Sequence, residues 1–73
     1  MALYRAVVRD GHGDVAVAFS ADRATLEHQM DREDVVLALD VVESSKRPDP
    51  PPFRWLQKLG VKPGTLVRVY LFD

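Results

Sequence analysis

The apolar positions of this chain change period several times, and each change marks an element. Ala2 to Arg9 and Asp14 to Phe19 are rich in β-formers and flank Asp10-Gly11-His12-Gly13, so the first element expected is a β-hairpin. In its second strand Val15, Val17 and Phe19 alternate with Ala16 and Ala18, which puts the two sets on opposite faces. The period then lengthens. Ser20 or Asp22 offers an N-cap, and Ala24 to Arg32 favours helix, with Leu26 and Met30 one turn apart and Ala21 and Ala24 beside them. Val35 to Val42 is a nearly continuous apolar run, expected as a strand covered on one face and partly on the other.

Glu43 to Pro52 holds four prolines and predicts an extended, semi-rigid connector. Pro48 and Pro51 satisfy a bare P-x-x-P, but Phe53 stands where a polyproline ligand would carry a basic residue. Beyond it Phe53, Leu56 and Leu59 repeat at helical spacing, with Trp55 on the adjacent face and Gly60 placed to end the helix. Lys62-Pro63-Gly64-Thr65 fits a type II turn. In the final strand Val67, Val69 and Leu71 alternate against Leu66, Arg68, Tyr70 and Phe72.

Length limits what these elements can build. With 73 residues the chain is one small α+β domain, residues 1–73, with the Pro-rich loop at 43–52. It has no cysteine, so a packed core or a partner must supply the stability. Ten basic against eleven acidic residues give a net charge of −1, which provides no general footprint for nucleic acid. No apolar run approaches the ~20 residues of a membrane helix, and Arg5 and Arg9 interrupt any secretory signal, so a cytoplasmic location is expected. The chain lacks isoleucine and asparagine while Arg, Ala, Val and Asp abound, a bias of GC-rich bacterial or phage genomes.

Candidate chemistry is sparse. Asp10-x-His12-x-Asp14 would chelate a metal only if the backbone stayed extended, and the neighbouring glycines argue for a polar hairpin tip instead. His28 falls on the polar side of its helix, and no serine or threonine has the setting of an activated nucleophile. No Gly-rich run joins a strand to a helix as a phosphate loop would. The expectation is no catalytic residue, no metal and no cofactor.

The order hairpin, helix, strand, short helix, strand resembles the ubiquitin-like β-grasp fold. The nearest local match is Leu59-Gly60-Val61-Lys62-Pro63-Gly64-Thr65-Leu66-Val67-Arg68-Val69, similar to the ending of ubiquitin-like domains. The resemblance implies a mixed sheet with one helix across it, and the first and last strands, Leu3–Arg9 and Leu66–Phe72, side by side beneath Leu26 and Met30. The chain ends Leu71-Phe72-Asp73 without a Gly-Gly tail, so neither conjugation nor sulfur carriage is expected of this form. What remains is a non-catalytic module, monomer or weak homodimer, that binds a protein partner through the outer sheet face. Arg68, Tyr70 and Phe72 would form that surface, with Arg5 beside them and Trp55 as a further anchor.

A second resemblance competes. Arg54, Lys58 and the Leu59-Gly60-Val61-Lys62-Pro63-Gly64 turn look like part of AbrB-type swapped-hairpin transcription factors. That family implies a DNA-binding homodimer, a regulator or antitoxin, in which Arg47, Arg54 and Lys58 would meet the phosphates.

Overall fold

Four strands and two short helices form in the order β1 (Ala2–Arg9), β2 (Val15–Ser20), α1 (Arg23–His28), β3 (Val35–Glu43), α2 (Phe53–Lys58) and β4 (Val67–Phe72). The computed structural model describes residues 2–43 and 48–72. The α+β class expected from the sequence is what forms.

Local chemistry sets each boundary. At the hairpin tip the Asp10 carboxylate accepts hydrogen bonds from the amides of His12 and Asp14, at 2.8 and 3.0 Å, and holds the turn closed. Asp22 is the N-cap of α1 and accepts from the Ala24 amide, while the Ser20 hydroxyl accepts from the amide of Asp22. The helix stops at His28, earlier than Arg32. Asp31 to Asp34 close a turn of their own, in which the Asp34 carboxylate accepts from the Asp31 amide.

The end of α2 is a Schellman motif. The Val61 amide donates to the Leu56 carbonyl at 3.1 Å and the Gly60 amide to Gln57 at 3.0 Å, with Gly60 at φ +94°. The accompanying apolar contact is present too, since Leu56 and Val61 are both buried in one cluster. Gly60→Ala should therefore cost about 1–2 kcal/mol, measured as a lower denaturant midpoint. An unchanged midpoint would mean the left-handed backbone at this position is not required. The Lys62–Thr65 turn forms as expected, with Gly64 at φ +87° and the Thr65 amide donating to Lys62.

Strand order is where sequence and structure part. The sheet runs β3-β1-β2-β4, antiparallel throughout except for the parallel pair β2–β4. The first and last strands are thus not neighbours, because β2 lies between them. β1 is central, with Ala6, Val7 and Val8 buried in succession and therefore covered on both faces. β3, whose apolar run predicts cover, is an edge strand with Val35, Val36 and Val41 all exposed. Glu43 closes that strand rather than opening the connector, and Pro48 to Pro52 have no regular structure.

Residues directly paired across strands share a face, so the registers sort the side chains. One face carries Leu3, Val7, Val15, Val17 and Phe19 and is capped by Leu56 and Val61 of the α2 region. The opposite face carries Ala6, Val8 and Ala18, with Tyr4 and Phe72, and receives Leu26 of α1. The sheet is the middle layer between two helices. No helix among the described residues is long and apolar enough to cross a membrane.

Candidate functional site

Arg68, Tyr70 and Phe72 come together, as the alternation of β4 requires, but on the sheet face that receives α1 and not on an outer face away from that helix, because β4 pairs with β2 so that they share a face with Ala16 and Ala18. The Tyr70 and Phe72 rings stack at 5.9 Å between centroids. Tyr70 remains 41% exposed, while Phe72 is half-buried against Ala6, Val8 and Leu26. The parallel register sets Ala18 beside Tyr70 and Ala16 beside Arg68.

A groove results. Its floor is Ala6, Ala16 and Ala18, one wall is Leu26 and Met30, and the other is Tyr70 and Phe72. The physical cause is side-chain size: alanines on two adjacent central strands leave room that valines would fill, and a helix of six residues roofs only part of the sheet. The groove encloses about 350 Å³, near the lower end of the roughly 300–1,000 Å³ of ligand pockets. That volume suits a side chain or two from a partner segment.

One end of the groove is acidic. Asp10 and Asp34 line it, and Asp31 and Glu33 stand in the adjoining depression with His12. Among the described residues no basic side chain forms an ion pair with these four carboxylates.

Arg5 and Trp55 lie on the opposite face, which corrects the grouping expected from adjacent first and last strands. Arg5 pairs across to Asp40 on β3, donating from Nε to Oδ1 at 2.9 Å and from its terminal nitrogen to Oδ2. Its guanidinium also stands 4.2 Å from the centre of the half-buried Trp55 ring. This Trp55–Arg5–Asp40 stack joins α2 to β1 and β3 and so uses the cation inside the fold. Val7 is wholly buried on that same face, away from Tyr70.

Arg54 and Lys58 are both exposed, one turn apart on α2, while Arg47 lies outside the described residues. Sequence reasoning missed Ala16, Ala18, Met30, Asp10 and Asp34 as groove residues. The signal was the Ala-x-Ala facing away from Val15, Val17 and Phe19, where small side chains imply space.

Comparison with known proteins finds no matching family model, curated protein or solved structure.

Proposed function

We propose that the chain is a non-catalytic interaction module that takes a segment of a partner protein into the groove between α1 and β4. The observation that carries this is the juxtaposition of a stacked aromatic pair, its tyrosine exposed, with an alanine floor and an acidic end that forms no ion pair among the described residues. Apolar side chains of the segment would fill the floor while Tyr70 and Phe72 anchor it, as aromatic residues do at the centre of interfaces. Lysine or arginine farther along the segment would reach Asp10 and Asp34. The complementary ligand is accordingly an apolar anchor followed by positive charge.

The element order supports a ubiquitin-like module, whereas the separation of β1 from β4 departs from that pattern, so the binding face is argued from the groove alone. Binding by β4 edge pairing is compatible with the same site, since its outer backbone edge adjoins Tyr70.

Selection from a randomised peptide library followed by backbone-amide NMR mapping tests the proposal. Enriched peptides should share an apolar residue with a nearby Lys or Arg, and shifts should centre on Ala16, Ala18, Met30 and Tyr70. Tyr70→Ala, at an exposed position, should weaken binding about 30-fold, roughly 2 kcal/mol, without altering the melting curve. Peptides that bind Tyr70→Ala undiminished would remove the site. Duplex DNA binding that weakens steeply with salt and disappears in Arg54→Ala/Lys58→Ala would replace the proposal with the nucleic-acid alternative.

A further inference from the structure

We propose that the outer edge of β3 is the seam of a two-fold dimer, in which β3 pairs antiparallel with its own copy. Among the described residues β3 is the longest strand, nine residues from Val35 to Glu43, and β1 is its sole sheet neighbour. At 3.3–3.4 Å per residue its edge runs about 30 Å. Val35, Val36, Leu39 and Val41 are 54%, 47%, 37% and 56% exposed, so aliphatic side chains stand open on both faces along that edge.

Edges that must stay single usually carry lysine, proline or an inward charge. β3 has neither lysine nor proline, and its one interior charge, Asp40, is held by Arg5. The irregularity in its pairing with β1 falls between Val7 and Val8, opposite Leu37, which leaves Ala38 to Glu43 in regular register. Among the described residues the outer edge from Ala38 to Val42 pairs with no other strand, and it can accept one without distortion.

Charge identifies the occupant. Between Val35 and Val42 the edge offers a charged partner no unpaired group, whereas two-fold pairing sets aliphatic surface against the same aliphatic surface. Val and Leu that a lone chain exposes would then be covered by the Val and Leu of the second copy. The two four-stranded sheets would become one of eight strands, with β3 moved from an edge to the centre, where its apolar pattern places it. A seam about 30 Å long and little wider than the ~4.8 Å spacing of paired strands falls short of the roughly 800 Å² per partner of a standard interface, so the dimer should dissociate on dilution. The groove at β4 lies at the far side of the sheet and stays open in either state.

Sedimentation equilibrium over a concentration series tests this. The apparent mass should climb from 8.2 kDa toward twice that value, and added salt should not reverse it. Leu39→Lys and Val41→Lys should each weaken association at least tenfold while the far-ultraviolet dichroism stays that of the wild type. Should a lysine variant fail to fold, hydrogen exchange on the wild type decides. Amides from 38 to 42 that slow as concentration rises support the seam, and amides that exchange at constant rates overturn it. A wild type that stays at 8.2 kDa throughout overturns it as well. So does a dimer that survives Val41→Lys and is lost in Leu71→Lys, which would put the seam at β4.

Discussion

Replacing Phe19 by alanine should cost about 3–5 kcal/mol. Phe19 is 1% exposed, sits on β2 between Arg5 of β1 and Leu71 of β4, and belongs to the cluster capped by Leu56 and Val61. Removing its ring leaves a cavity beneath α2 that two flanking strands and a six-residue helix cannot collapse to fill. The scale of the loss is set by the size of the chain. At 0.05–0.15 kcal/mol per residue, 73 residues hold roughly 4–11 kcal/mol of stability in all. The substitution would therefore remove between about a quarter and the whole of that stability. At roughly 4–8 °C per kcal/mol the variant's melting temperature should fall by some 12–40 °C. Urea unfolding with a nearly unchanged slope and a much lower midpoint is the expected record. A loss below about 1 kcal/mol would mean that Phe19 does not lie in the closed core on the α2 side.

The second large effect is expected at Leu26. It is the one buried residue of α1 and is itself 1% exposed against Ala6 and Val8. A six-residue helix has almost no stability alone, because nucleation costs more than so few hydrogen bonds return. The Asp22 cap contributes about 1 kcal/mol, so docking through Leu26, with Met30 beside it, must hold the helix in place. Leu26→Ala should cost about 2–4 kcal/mol and should do more than destabilise. With α1 loosened, one wall of the groove is gone, so peptide binding should fall along with the thermal midpoint. A matched loss of stability from Leu56→Ala, on the other face, should leave binding by the folded fraction unchanged. That contrast separates a structural wall from general destabilisation. Equal binding losses in the two variants would show that the groove does not depend on α1.

The parts of this fold that the sequence discloses are the local ones. Gly60 and the Pro63-Gly64 pair mark their turns because each has a backbone conformation that few other residues adopt. The alternation of Val15, Val17 and Phe19 against Ala16 and Ala18 marks β2 because two faces with different cover need two sizes of side chain. Strand order is another matter. Nothing near Leu66 to Phe72 distinguishes β1 from β2 as its neighbour, and the choice depends on how the whole chain between Ser20 and Leu66 crosses the sheet. The apolar run of β3 misleads for a physical reason. A strand reads as central when its side chains are apolar on both faces, yet here the strand lies at an edge with three of its four valines exposed. The partners of Arg5 were equally hidden, since Asp40 lies 35 residues away and Trp55 lies farther still, on α2. Arginine in a strand of mixed pattern looks like a surface contact until the cross-strand register is known.

Of the proposed surface, Arg68, Tyr70 and Phe72 were legible as a set because they share one parity in a single strand. Their relation to α1 was not, because it follows from the parallel pairing of β4 with β2. Tyr70 and Phe72 face Leu26 and Met30 across the alanines only while that pairing holds. The most direct measurement is therefore the set of cross-strand proton contacts in a nuclear Overhauser spectrum. Contacts linking the backbones of Ala16 with Arg68 and Ala18 with Tyr70 are expected. Backbone contacts joining Val7 to Val69 instead, with none from Ala18 to Tyr70, would contradict the strand order and take the groove away with it.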